Sequence, residues 1–302
     1  MSKILIFGPA RTVETLTVPT VLDSCEGVRY ETVLAGEGET VAVTVARLGG
    51  RSVFAGRVGD DSGGKRLVRL LDTAGVDLSC FRVDRNQQTG HLVRALDGEG
   101  NCRTVLFGGA NSYLTEEEVR VAFQTAPDAV CLAGVLPSPI MERIGEIAAD
   151  RAIPVFYLYN GGSSPCEGLP PLELFMTDES TVERLTGVRP SGADTCLQAA
   201  IGLQKRLKAR YYAIRLGERG AFLYDGTYCY VINSYIVPET DARGAAEVFF
   251  GATVCEYTRE DGDMLAAMRY AAAAAALSET HEGEAQSPPT AEEVISFLER
   301  NG

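Results

Sequence analysis

Asp241-Ala-Arg-Gly-Ala-Ala-Glu-Val-Phe-Phe-Gly251 runs from a polar, glycine-containing loop straight into an apolar stretch, which reads as the start of a buried helix. The backbone N–H groups of a first helical turn have no intrahelical partners. A loop entering through Gly244, Ala245 and Ala246 therefore offers converging donors to an anion. Small side chains let a phosphate come close to that backbone. Glu247 stands at the lip of the cradle, and an anion cradle with a single base is the minimum equipment for moving a phosphoryl group onto a hydroxyl. An ordinary helix start with small residues for packing would carry the same letters, so the surrounding chain has to decide.

Upstream of that stretch, short apolar runs alternate with helical patterns. Ala129 to Ala133, Pro154 to Tyr159, Leu172 to Met176 and Tyr211 to Leu216 read as strands. Thr115-Glu-Glu-Glu118 is a capping box, Ser138-Pro139 caps a helix bearing Ile140, Ile144 and Ile147, a third helix runs from about Asp178 to Gly187, and Ser191-x-x-Asp194 opens another. Gly220 to Tyr224 and Thr227 to Ile232 form a hairpin, Met264 to Leu277 is an alanine-rich helix, and Thr290-x-x-Glu293 caps the last one. Alternation of this kind predicts a parallel sheet with helices on both faces.

The N-terminal part adds a second feature. Lys3 to Phe7 reads as a buried strand ending at Gly8-Pro9, with no G-x-G-x-x-G after it to bind a dinucleotide. Arg11 to Leu34 and the hairpin within Thr89 to Phe107 alternate weakly, as strands with one exposed face do, and predict a small sheet standing off the main body. Gly36-Glu-Gly38 opens a helix with Val41, Val45 and Leu48 on one face, closed by Gly49-Gly50. Gly59-Asp-Asp-Ser-Gly-Gly-Lys65 mimics a phosphate-binding P-loop between the strand at Ser52 to Arg57 and a helix. Its next residue is Arg66, however, where a magnesium-ligating Ser or Thr is required, which favours a plain strand-turn-helix joint.

Composition narrows the classes. The 302 residues, 45% hydrophobic and 23% charged, suit a soluble globular protein with a substantial core. A net charge of −13 with no basic stretch argues against a nucleic-acid partner or an anionic membrane. The eight cysteines are scattered singly, with no C-x-x-C and no signal peptide before them, and read as reduced core thiols of a cytoplasmic protein. With His91 and His281 the only histidines, a histidine metal site or a Ser-His-Asp triad is improbable, and the longest apolar run, Tyr270 to Leu277, is too short to cross a membrane.

In order and spacing, these pieces resemble the ribokinase-like (pfkB) carbohydrate kinase family over nearly the whole chain. The residues that carry the resemblance are Ala46-Arg-Leu-Gly49, Gly56-Arg-Val-Gly-Asp-Asp-Ser-Gly63, Ala74-Gly-Val-Asp77, Gly108-Gly-Ala-Asn111, Leu185-Thr-Gly187, Leu216-Gly-Glu-Arg-Gly220 and Asp241-Ala-Arg-Gly-Ala-Ala-Glu247, the last against a family signature D-T-x-G-A-G-D. The resemblance implies a single three-layer α/β/α domain over residues 1–302, with a mainly parallel central sheet and a small β-sheet lid from about 11–34 and 88–107. It implies transfer of the ATP γ-phosphoryl group to a hydroxymethyl of a sugar or nucleoside, with Glu247 as base and Gly244, Ala245 and Ala246 as anion hole. Arg215, Gly217, Gly220, Asp241 and Arg243 would serve the nucleotide, Gly36, Thr40 and Asn111 the acceptor. Asp178 would assist Mg2+ through water. Pairing of lids into a homodimer is a further implication.

Several positions depart from the family pattern. Glu247 replaces Asp and Ala246 replaces Gly, and the family's N-x-x-E reads Asp178-Glu-Ser-Thr181. Arg215 stands where Thr is usual, Thr40 where Asn is, and Ala35 where Gly is. The acidic residue expected after the first strand has only Thr12 and Glu14 near its place. Asn111 and Asn160 can reach substrate or simply satisfy loop backbone. Two readings follow: a kinase with a rearranged site, or a catalytically impaired kinase-fold protein that binds a ligand or regulates.

Overall fold

In a computed structural model, residues 1–21, 26–99, 101–161, 169–259 and 262–301 are described. The chain opens with β1 (Lys3–Phe7), β2 (Arg11–Thr17), β3 (Arg29–Leu34), α1 (Glu37–Arg47), β4 (Arg51–Ala55), β5 (Arg57–Gly59) and α2 (Ser62–Thr73). Then come β6 (Arg82–Asp84), β7 (Gly90–Leu96), β8 (Cys102–Phe107), α3 (Glu116–Ala122), β9 (Ala129–Ala133), α4 (Ser138–Asp150), β10 (Val155–Tyr159) and β11 (Leu172–Asp178). The remainder is α5 (Glu179–Thr186), α6 (Ala193–Gln204), β12 (Ala209–Arg215), β13 (Ala221–Tyr224), β14 (Cys229–Ile232), α7 (Ala245–Tyr257), α8 (Met264–Glu279) and α9 (Ala291–Asn301).

The large sheet has the order β14-β13-β12-β11-β10-β9-β1-β4; β4 through β12 run parallel and the last two strands antiparallel. Strand periodicity divides the core into two layers. Ile4 and Ile6 of β1 join the layer made with α1, α2, α7, α8 and α9, while Leu5 and Phe7 join the layer made with α3 to α6. Apolar residues pointing both ways explain why the central strands read as continuous apolar runs. The second sheet, β3-β2-β7-β8, comes from the two stretches whose weak alternation predicts it, with β8 exposed along its length.

The chain turns from β1 toward β4 on one side and later builds outward through β9 on the other. The carboxyl ends of β1 and β9 therefore flank a topological switch point, where open α/β sheets bind their ligands. The small sheet begins at Arg11, a few residues beyond the end of β1, and so sits at that edge.

Local signals held at most helix ends. Thr115 and Thr290 each receive the amide three residues on, and Glu118 and Glu293 reach back as capping boxes require. Two starts differ from expectation. Pro137, not Ser138, is the N-cap of α4, and α6 begins after Gly192 with the Thr195 hydroxyl receiving the amides of Ser191 and Gly192. The P-loop mimic is a capped helix start. Asp61 accepts from the amides of Gly64 and Thr89 and from the Thr89 hydroxyl, and Lys65 pairs with Asp60. Burial opposes the Asp61 charge, yet those hydrogen bonds hold its carboxyl below the usual range. Cys80, Cys131, Cys196 and Cys255 are buried, but Cys102 and Cys229 are exposed on β8 and β14 and are not core thiols; Cys25 and Cys166 lie outside the described residues.

Candidate active site

A cleft of about 210 Å³ opens where the small sheet meets the starts of α1 and α7. It brings together Gly36, Thr40, Arg243, Gly244 and Glu247, which the motifs single out, with Arg11, Glu37 and Arg94, which they do not. Thr40 is buried on the first turns of α1, while Val13 and Leu92 form an apolar wall from the small sheet.

Gly244 caps α7 in the left-handed region at φ +82°. That is where the loop's conformational demand lies, and the sequence keeps glycine there. Ala246 is helical, so its Cβ adds no backbone strain. The Ala245 amide turns toward the Ala242 carbonyl at 3.4 Å, which partly withdraws it from the expected anion hole. The Ala246 amide, on the first turn, has no backbone acceptor among the described residues. Gly244→Ala should cost about 1–2 kcal/mol of stability, read from chemical denaturation; a loss of only a few tenths would remove the strain argument. Glu247, on the same turn, is half-buried and accepts a 3.0 Å hydrogen bond from Asn160 Nδ2, which follows β10.

Arg215 ends β12 in register with Asp178, the last residue of β11. Its guanidinium lies 5.3 Å above the Phe249 ring, and its Nη1 is buried without a hydrogen-bond partner among the described residues. Burial lowers the Arg215 pKa, and the carboxylates of Glu247, Glu279 and Asp178 work against that. Gly217 and Gly220 shape the turn into β13. A side chain at Gly220 would meet the Ile232 carbonyl at 2.0 Å, so this glycine is required by the fold whatever else it does. Asp241 accepts from Arg243 Nε and Nη2, from the Arg243 amide and from the Gly283 amide. Burial raises the cost of its charge, but these donors keep its carboxyl below the ordinary range, so Asp241 braces the loop. Arg243 also lies 3.5 Å from Glu31 of β3.

Asn111 is placed elsewhere. Its amide clasps the backbone of Ala10, accepting from N and donating to O, at 3.0 and 2.8 Å, and it lines a separate hollow with Pro9 and Pro137. The polar residues that sequence reasoning missed form one group. Arg11, 6% exposed, pairs with Glu37, and the backbone N–H of Arg11 donates to Glu39, a carboxyl with 0% exposure lying against Gly36. Burial drives the Glu39 pKa up to about 8; the Arg11 amide and guanidinium only partly offset this. Glu37 and Glu39 in the first turn of a helix read locally as partners of the helix dipole, which hid this grouping.

Magnesium beside phosphates is commonly held by one or two carboxylates and the phosphate oxygens themselves. No three His, Cys, Asp or Glu side chains converge among the described residues. Asp178 uses Oδ1 to accept from the Thr181 amide and the Ser180 hydroxyl, while its Oδ2 makes no hydrogen bond among the described residues. This donor set fits an ion arriving with a nucleotide.

Known proteins agree with this architecture. The family model described as pfkB family carbohydrate kinase matches residues 5–291. A ribokinase of Haemophilus influenzae is 28% identical over 282 residues, 92% of this chain and 91% of its own length. An ATP-dependent ribose-1-phosphate kinase of Halopiger xanaduensis is 27% identical over 268 residues, 87% of this chain and 86% of its own. The structure of Arabidopsis thaliana ribokinase complexed with ribose and ATP superposes with a TM-score of 0.85 at 23% identity, covering 98% of both chains. With the family model spanning nearly all of its length, the chain belongs to the pfkB family of carbohydrate kinases.

Proposed function

We propose that this protein transfers the γ-phosphoryl group of ATP to a hydroxymethyl of a small acceptor, a sugar or nucleoside, bound in the cleft beneath the small sheet, which acts as its lid. The observation that carries this is the Glu247 carboxylate, held by Asn160 on the first turn of α7 and open to the cleft that contains Gly36 and Thr40. A hydroxyl placed there loses its proton to Glu247 as its oxygen attacks. The positive end of α7 and the Ala246 amide face the transferring group, and Arg215 supplies a cation nearby. Magnesium, when bound with the nucleotide, would neutralise phosphate charge, with Asp178 as the protein group fit to hold it through water. Gly217 and Gly220 act here by shaping the nucleotide side, while Asp241 braces Arg243 at the acceptor cleft.

Calorimetric titration with ATP, with and without magnesium, followed by ADP release over a panel of sugars and nucleosides, tests the reading. Magnesium-dependent binding and turnover support it. ATP binding without turnover of any acceptor would favour a ligand-binding role. Arg215→Met should weaken ATP about 10- to 100-fold, the size of a charge-assisted hydrogen bond, and an unchanged affinity would take Arg215 out of the site. Val105, Leu106 and Phe107 of β8 are 53%, 58% and 55% exposed, an apolar edge that pairing of two lids would cover. Sedimentation of wild type against Leu106→Glu tests that pairing; a monomer in both excludes it.

A further inference from the structure

The face of the small sheet turned toward the cleft carries Val13, Thr15 and Thr17 of β2 beside Leu92, Arg94 and Leu96 of β7, in register. Val13 and Leu92 share the cleft with Glu247. Beyond them a second hollow of about 240 Å³ is lined by Thr15, Arg29, Glu31 and Leu96. Arg94 and Arg243 line both hollows and so stand at the junction. The two hollows adjoin at Arg94 and Arg243 and together make a trough, with Val13, Leu92 and Glu247 on one side of that junction and Arg29 on the other.

The charges in this trough run against those of the chain. Arg11, Arg29, Arg94 and Arg243 face Glu31, Glu37 and Glu247, in a protein whose net charge is −13. Glu37 is taken by Arg11, and Glu31 lies by Arg243, which Asp241 also holds. Arg94, half-buried, makes no hydrogen bond or ion pair among the described residues. Arg11 Nε is buried and also lacks a partner among them. A buried donor left unmet carries a desolvation cost, and an anion with several lone pairs relieves it best; phosphate and carboxylate both match the guanidinium fork. With a Debye length of about 8 Å at physiological salt, the acidic remainder of the surface is largely screened. The local cations govern which charge enters.

We propose that the acceptor carries an anionic substituent, a phosphate ester or a carboxylate, and that Arg94 receives it between Arg11 and Arg243. This rests on the phosphoryl-transfer reading and names the acceptor class for that same cleft. The charged end of the acceptor docks at Arg94 and presents a hydroxyl to the Glu247 carboxylate, which lines the same cleft.

Matched acceptors test it: fructose against fructose 6-phosphate, ribose against ribose 1-phosphate, and glucose against gluconate. Each is read by calorimetric binding to the full chain and, separately, by ADP release with ATP and magnesium. At least one anionic member should bind about 30-fold tighter than its neutral partner, and the phosphate and carboxylate arms tell the two sources apart. Arg94→Met should remove at least about tenfold of that preference, with Arg94→Lys retaining part of it. Anions that bind no better than their neutral partners, or a preference unchanged in Arg94→Met, overturn the proposal. An anion that binds through Arg94 while none of the acceptors is phosphorylated keeps the anion site but overturns its assignment to an acceptor, and counts against phosphoryl transfer. Turnover of a neutral sugar with no preference for anions overturns the anion site and upholds phosphoryl transfer.

Discussion

Glu247→Gln should lower the turnover number for phosphoryl transfer by about 10²- to 10⁴-fold, the usual share of a positioned general base, while the protein still binds ATP. The substitution keeps the shape of the side chain and leaves a carbonyl oxygen to accept from Asn160, so the local packing on α7 survives. What disappears is the ability to take a proton. Glu247→Asp is the sharper companion. It keeps the carboxylate but withdraws it by roughly one carbon–carbon bond, and a displacement of about 1 Å is enough to cost on the order of 10²-fold. A cleft built around glutamate should therefore suffer from the family's own residue at this position. Single-turnover measurements with saturating ATP separate this loss from slow product release. Retention of full turnover in Glu247→Gln would sink the assignment of the base, and a faster Glu247→Asp, above all together with Ala246→Gly, would mean that the present site is degenerate.

The second large effect concerns stability and pH. Glu39 has 0% exposure, accepts from the Arg11 amide through Oε1 at 3.2 Å, and keeps Oε2 buried without a hydrogen-bond partner among the described residues. Burial dominates and pushes its pKa from 4.5 to about 8. Because the folded pKa lies above the unfolded one, the folded state holds a proton that the unfolded state releases. The contribution of this group to stability is fully present below pH 4.5 and is lost as pH rises to about 8. Glu39→Gln removes the titration. The unfolding free energy of the variant should gain on that of wild type by up to about 1.4 kcal/mol per pH unit inside this window and then level off. Urea denaturation of both proteins at pH 5.5, 7 and 8.5 measures it. Parallel curves at every pH would show that Glu39 does not titrate in the folded state.

Most of the architecture was legible because its causes are local. Lys3 to Phe7 had to be a buried strand, since apolar side chains on both faces of a strand have no other stable place. Thr115 and Thr290 had to start helices because each supplies the hydroxyl, and Glu118 or Glu293 the carboxylate, that a first turn lacks. Where two local solutions compete the reading slipped, as at Ser191, whose place as cap is taken by Gly192 and the Thr195 hydroxyl.

The candidate site was legible in part. The order of the motifs pointed to Gly36, Thr40, Gly244 and Glu247, and the tertiary structure places all four on one cleft. It removes Asn111 to the backbone of Ala10 and adds Arg11, Glu37 and Arg94. The sequence by itself determined the alternation of strands and helices, the caps at Thr115 and Thr290 and the glycine at position 244, because each follows from the needs of a few neighbouring residues. Only the tertiary structure decided that Arg11 meets Glu37 across 26 residues, that Glu39 is fully buried, and that Arg94 lines the same cleft as Arg243. Charge pairing and desolvation depend on distance in space, and no periodicity along the chain records them.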